Sequence, residues 1–233
     1  MGPRVPDEKE YVHERLGDRF EQATSSYDTA RRVETLIDEF LSDEMVAGKK
    51  TLDVGCGLGY FSARLHERGA KVTAIDLGPN LVETTRRRVG CDGEVVDALR
   101  LVEHFGPDSF DLVVSSECIE HTPDPPEVLR QMARVLKPGG HISVSTPNLL
   151  WSPIVKLATA LKLRPFDGFE NFSTWRTLKG PLEEHGVIIL REKGLHIFPF
   201  QFGMHERSRW CDGNLQRLRS LMLNYCVLGQ KRF

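Results

Sequence analysis

The hydrophobic positions change period along the chain, and those changes mark out its elements. Between Tyr27 and Leu41 the apolar residues Val33, Leu36, Ile37, Phe40 and Leu41 recur at helical spacing, which predicts an amphipathic helix. Residues 8–22 are charge-rich and also read as helical. From residue 51 onward, short apolar runs alternate with helical patterns. Strands are predicted over Thr51–Val54, Lys71–Ile75, Glu94–Val96, Phe110–Ser115 and His141–Ser145. Helices are predicted from Tyr60 to Arg68, from Pro79 to Arg88 and from Pro125 to Leu136. Gly69 follows the first, and a proline sits in the first turn of the other two, where a missing N–H does no harm. Lys137-Pro138-Gly139-Gly140 reads as a tight turn. Strand–helix alternation at this spacing implies βαβ units and a mainly parallel sheet, which binds ligands at the carboxyl ends of its strands.

After Pro147 the pattern changes. Residues 148–172 are rich in Leu, Trp, Phe and Pro without alternation, and read as an insertion capping the site. Thr174–His185 is predicted helical, followed by strands over Val187–Arg191 and Leu195–Phe198, a helix over Asn214–Ser220 and a last strand over Met222–Leu228. The 233 residues suffice for one large domain with a real core. Lys+Arg number 31 against 33 Asp+Glu, a net charge of -2. Phosphate-backbone binding wants a basic excess, so nucleic acid is disfavoured as a partner. No apolar run is long and unbroken enough to span a bilayer, and the first ten residues hold no apolar core of a secretory leader. The five cysteines make no C-x-x-C pair, which speaks for a reducing, cytoplasmic setting and against a disulfide or zinc framework.

The strongest local signal runs from Leu52 to Phe61: a strand, then Gly55, Gly57 and Gly59, then a helix. Glycines let the backbone turn sharply and let a ligand approach the main chain. Asp76 follows Gly55 by 21 residues at the end of the next strand, where a carboxylate suits both hydroxyls of a ribose. A dinucleotide fingerprint would place glycine at the position held by Tyr60, so a nicotinamide-dependent oxidoreductase is disfavoured.

The stretches LDVGCGLGYFS, VTAIDLG, EVVDA, FDLVVSSECIEHTPDP and RVLKPGGHISVSTPN stand in family order between residues 51 and 147, and with them the chain resembles class I S-adenosylmethionine-dependent methyltransferases. The resemblance implies an α/β fold with a doubly wound, mainly parallel seven-stranded, Rossmann-like sheet. Residues 1–47 would form N-terminal helices, 48–147 the cofactor half, 148–172 the cap and 173–233 the rest of the sheet, all in one domain. It also implies roles. Gly55, Cys56, Gly57 and Gly59 would surround the amino-acid part of S-adenosylmethionine (S-adenosylhomocysteine as product), with Asp53 orienting the loop near its positive end. Asp76 would bind the ribose, and Leu77 would line the adenine side. Asp97 would accept the adenine amino group beside an N–H of Ala98. Ser116 and Glu117 would lie by the methionine portion.

Glu117, Glu120 and His121 have spacing i, i+3, i+4, which one helical turn would bring to a common face. Two readings stay open. In one, His121 is a general base for an acceptor hydroxyl with Glu120 beside it, since an unperturbed imidazole titrates near ~6.5. In the other, Glu117, Glu120 and His121 bind a divalent cation such as Mg²⁺. This E-x-x-E-H pattern is similar to that of the ubiquinone-pathway O-methyltransferases. It also resembles small-RNA 2′-O-methyltransferases, for whose further histidine His185 or His196 would be the candidates. Tyr27, Arg31 and Arg32 on the first long helix would meet a polar acceptor, and Trp151, Phe166, Phe169, Phe172 and Trp175 would wall a planar one. The expected reaction is methyl transfer to a hydroxyl of a small molecule: a phenol, catechol, quinol, sugar or natural product. An RNA ribose methyltransferase and an inactive cofactor-binding module are the rivals. Leucines flanked by Lys156 and Lys162 in the cap suggest weak peripheral contact with a membrane.

Overall fold

The computed structural model describes residues 8–11, 13, 26–161, 168–197 and 203–233. Seven strands form one sheet: β1 (Lys50–Val54), β2 (Lys71–Asp76), β3 (Asp92–Val95), β4 (Phe110–Ser116), β5 (Leu136–Pro147), β6 (Val187–Leu195) and β7 (Asn224–Lys231). Their order is β3-β2-β1-β4-β5-β7-β6. Every pairing from β3 to β5 is parallel, and β7 runs antiparallel between β5 and β6. The strand order reverses between β1 and β4, which places a crevice at the carboxyl ends of these two strands.

Both faces of the sheet are covered because its strands carry apolar side chains at alternate positions on each side. Phe110 and Val113 of β4 with Tyr225 and Val227 of β7 enter one core. This core is packed by α4 (Leu101–Phe105), α5 (Pro125–Val135) and α7 (Trp175–Glu184). Leu112 and Val114 with Cys226 and Leu228 enter the other core, covered by Leu36, Ile37, Phe40, Phe61 and Leu65. These belong to α1 (Ser26–Val33) and its continuation, and to α2 (Tyr60–Glu67). The remaining helices are α3 (Pro79–Val89), α6 (Ser152–Ala160) and α8 (His205–Asn214).

The structure departs from the sequence expectations in several places. The helix predicted from Tyr27 widens into a π-type turn over Glu34–Glu39. The third strand begins two residues early, at polar Asp92, because main-chain pairing with Thr73–Asp76 defines it. The turn at Lys137–Gly140 survives as a bulge within a longer strand: Phe110 pairs with Leu136 and Leu112 already with His141, with Gly139 at φ 76°. Val187–Arg191 and Leu195 join as one strand with a register shift between Ile189 and Arg191. The sequence predicts no helix over His205–Asn214, where α8 forms, because that segment has no apolar period. The cap folds as a short 3₁₀ turn at Leu149–Trp151 followed by α6. The helix expected over 8–22 is described only at Glu8–Tyr11, a 3₁₀ turn, and at His13. Phe166, Lys162 and Phe198 lie outside the described residues.

Candidate active site

A pocket opens at the carboxyl ends of β1, β2 and β4, beneath the turn at Glu8–Tyr11. Its floor is the glycine loop. Gly55, Gly57 and Gly59 have φ of 75°, 49° and 81°, a left-handed backbone that side-chain-bearing residues avoid. At Gly55 a Cβ would lie 2.3 Å from Cys118 Sγ, and at Gly59 2.8 Å from Thr85 Oγ1. The loop is tied to β2 by Gly57 N, which donates to Asp76 Oδ2 at 3.0 Å, while Gly78 N, just beyond β2, donates to Oδ1 at 3.0 Å. The carboxylate of Asp76 is thereby held at the pocket wall. Leu77, Leu81, Val96, Asp97 and Ala98 line the adjacent end. Asp97 also accepts from Leu99 N at 2.9 Å, opening the next helical turn.

Asp53 does not reach the pocket. It is 2% exposed, and its Oδ2 accepts from Ser62 Oγ of α2 at 2.6 Å. It anchors the loop from behind and not from the ligand side. Burial and nearby Asp76 push its carboxyl up to about 6. Cys56 and Cys118 line the pocket as thiols, since burial and Asp76 push both well above the usual range.

The opposite end is polar. Glu117 follows β4 with φ 50°, a left-handed non-glycine residue, at a cost of about 1–2 kcal/mol. That twist turns its side chain to Ser145, whose Oγ donates to Glu117 Oε1 at 3.0 Å. Ile119–His121 is a 3₁₀ turn and not an α-helical one. Glu120 is 1% exposed and accepts from Thr146 Oγ1 at 3.3 Å. Burial and Glu117 push its carboxyl well up. His121 Nδ1 lies 2.8 Å from the Phe169 carbonyl oxygen, so Nδ1 carries the proton and donates. Nε2 lies 3.8 Å from Glu120 Oε1.

The common face expected of Glu117, Glu120 and His121 does not form. Glu120 Oε1 stays 3.8 Å from His121 Nε2, whereas the twist at Glu117 turns that carboxylate to Ser145. Among the described residues no group of three His, Cys, Asp or Glu side chains could hold a metal ion. The donor arrangement therefore does not fit Mg²⁺. The cation facing the two glutamates is the guanidinium of Arg32, which Asp28, Glu117 and Glu120 keep charged against the opposing effect of burial. Arg32 Nη1 donates to Ser116 Oγ at 2.7 Å, and Ser116 Oγ is 2.9 Å from Ser145 Oγ.

Tyr27, Arg31 and Trp151 also stand elsewhere. Tyr27 donates to the His205 carbonyl at 2.9 Å and stacks on the His205 ring at 4.0 Å. Arg31, one position from Arg32 and so on a different face of α1, pairs with Glu34 and lies 3.9 Å from Glu39. Trp151 Nε1 donates to the Leu221 carbonyl at 3.0 Å. Among the described residues the cap lends the pocket no aromatic side chain: Trp175 stacks on Tyr225 at 4.1 Å, and Tyr60 and Phe61 line the pocket with His13 and His121. His185 ends α7, its Nδ1 3.1 Å from the Pro181 carbonyl.

The pocket gains residues that the motifs did not single out: Glu10, His13 and Thr29. The His13 ring meets His121 edge-on, with centroids 4.6 Å apart. Burial and the neighbouring His121 hold it well below the usual imidazole range. For Arg32 a signal existed, the Asp28–Arg32 pair at i, i+4, which forms at 2.9 Å. For Glu10 and His13 nothing in a charge-rich segment tells which side faces a ligand.

The sheet order and the glycine-loop pocket at the switch between β1 and β4 are those of a class I methyltransferase fold. Residues 52–144 match the family described as a methyltransferase domain. The chain is 44% identical over 115 residues to a ubiquinone biosynthesis O-methyltransferase of Xanthomonas euvesicatoria pv. vesicatoria, a match covering 47% of this chain and 48% of that protein. The match thus spans about half the length of such relatives. The structure resembles an S-adenosylmethionine-dependent methyltransferase from Mesorhizobium loti, with TM-score 0.65, 22% identity, 85% of this chain and 98% of that one covered. It also resembles magnesium protoporphyrin IX methyltransferase from Synechocystis PCC 6803, solved with bound SAH, with TM-score 0.68, 14% identity and coverages of 96% and 97%.

Proposed function

We propose that this protein is an S-adenosylmethionine-dependent O-methyltransferase acting on a small molecule with a phenol, catechol or quinol hydroxyl. The observation that carries the reading is the Asp76 carboxylate, fixed by two backbone N–H groups beside a loop of three left-handed glycines. In this reading Asp76 binds the ribose hydroxyls, while Leu77, Leu81, Val96 and Ala98 take the purine with Asp97 at its amino edge. The main chain at Gly55 and Gly57, with the Arg32 guanidinium, takes the amino-acid end. When bound, the cofactor supplies an electrophilic methyl group on a sulfonium sulfur.

The chain's own residues then hold the acceptor, exclude water and receive its proton. His121 suits the last task. With Nδ1 donating to Phe169, Nε2 is the basic ring nitrogen, and it takes the proton that the acceptor hydroxyl gives up. The Phe169 carbonyl, accepting from Nδ1, holds the ring in place and favours the imidazolium so formed. The O-methyltransferase names of the curated relatives favour oxygen as the acceptor atom.

The test is incubation with methyl-labelled S-adenosylmethionine and a panel of catechols, phenols and quinols, beside calorimetry with S-adenosylhomocysteine. The reading requires product binding and methylation of at least one hydroxyl. Binding without any turnover would favour the inactive module, and labelling of RNA alone would favour the ribose 2′-O-methyltransferase.

A further inference from the structure

His196 stands at the carboxyl end of β6, just 2% exposed. Its φ of 64° is left-handed, which a non-glycine residue holds only when its surroundings enforce it. Here they do. His196 N donates to Asp212 Oδ1 at 2.8 Å, and its carbonyl accepts from Leu223 N at 3.4 Å. So held, the ring lies between the buried Asp212 carboxylate and the largely buried Asp28 one. Nε2 is 2.8 Å from Asp28 Oδ1, and Nδ1 is 3.9 Å from Asp212 Oδ2.

Asp28 divides its two oxygens. Oδ1 faces His196, while Oδ2 accepts from Arg32 Nε at 3.1 Å and Arg32 Nη2 at 2.9 Å. The third guanidinium nitrogen, Nη1, reaches Ser116 on the pocket wall. Burial alone would raise the Asp28 carboxyl, but Arg32 and His196 outweigh it and hold the group well below the usual carboxylate range. The aspartate is thus an ionised strut between two elements far apart in sequence.

We propose that His196 is a positioning residue for the cofactor pocket: by sharing the Asp28 carboxylate with Arg32, it ties the end of β6 to the guanidinium that meets the cofactor's amino-acid end. The inference rests on the reading of the pocket as an S-adenosylmethionine site. A leucine at 196 leaves Asp28 Oδ1 buried without its imidazole, so the carboxylate and the guanidinium it orients lose their fixed geometry. An asparagine restores a donor and tolerates the left-handed backbone.

S-adenosylhomocysteine titrated calorimetrically into wild type, His196→Leu, His196→Asn and Arg32→Met tests this, with melting temperatures measured alongside. His196→Leu is expected to bind about tenfold more weakly and to raise KM for the cofactor with the acceptor KM unchanged. His196→Asn is expected within about threefold of wild type. Wild-type affinity in His196→Leu overturns the proposal, as does an affinity loss that follows melting temperature alone and that asparagine does not repair. Arg32→Met separates the levels. Weak binding in Arg32→Met with an unaffected His196→Leu removes the His196 role alone, whereas a wild type that does not bind S-adenosylhomocysteine removes the pocket reading with it.

Discussion

The side chain of Cys118 occupies the space beside Gly55: its Sγ is 2.3 Å from where a Cβ on that glycine would stand. The loop after β1 and the segment after β4 therefore close on each other, and the floor of the pocket depends on a missing side chain. Gly55→Ala meets both this clash and an unfavourable φ of 75°. Calorimetry is expected to show a loss of S-adenosylhomocysteine affinity of about 100-fold or more, from the displaced loop. Unchanged affinity would mean that the loop is not the cradle.

His121 is expected to act on turnover and not on cofactor binding. His121→Gln keeps a polar group near the Phe169 carbonyl but lacks a basic nitrogen. Single-turnover rates should fall by about 10²–10⁴-fold, with S-adenosylhomocysteine affinity within about threefold of wild type. An undiminished rate would exclude His121 as the base.

Asp53 makes stability depend on pH. Its carboxyl stands at about 6 in the fold against an ordinary 3.8. A raised folded value means the contribution is fully present below the unfolded value and lost as pH rises through the folded one, here between about 3.8 and about 6. Asparagine mimics the protonated carboxyl and still accepts from Ser62. Asp53→Asn should be more stable than wild type by about 1–3 kcal/mol at pH 8 and no more stable at pH 4, as read by thermal or denaturant unfolding.

Activity is expected to be unchanged by EDTA, because Glu117 turns to Ser145 and among the described residues no three such side chains could hold a metal ion. Loss of turnover in EDTA, restored by added Mg²⁺, would show that the three side chains regroup around a cation.

The cap carries exposed apolar residues: Leu150, Ile154, Leu157 and Leu161 are each more than half exposed, at 56%, 59%, 60% and 61%. Among the described residues no helix is long and apolar enough to cross a membrane, but this face suits shallow insertion. Weak sedimentation with phospholipid vesicles is expected, reduced by Ile154→Ser with Leu157→Ser. No sedimentation of the wild type would dismiss the contact.

Much was legible in the residues alone, because it rests on local chemistry. Short apolar runs such as Phe110–Ser115, set between helical patterns, announce a sheet buried on both faces, and Pro79 and Pro125 open their helices because their rings suit a first turn. Gly55, Gly57 and Gly59 declare a left-handed loop, and Asp76 falls at a strand end by spacing. What folding decided is which long-range neighbour each polar group found. Glu117, Glu120 and His121 share a spacing, yet a positive φ turns Glu117 away to Ser145 while the other two stay side by side. Arg31 and Arg32 are adjacent and chemically alike, but about 100° of helical rotation sends one to Glu34 and the other to the pocket. Asp53 lies one residue before the end of β1 and Asp76 at the end of β2, and only the second reaches the ligand side. Local propensity sets where strands and turns stand, whereas the direction of a side chain and the partner of a charge depend on elements that meet only in the folded chain.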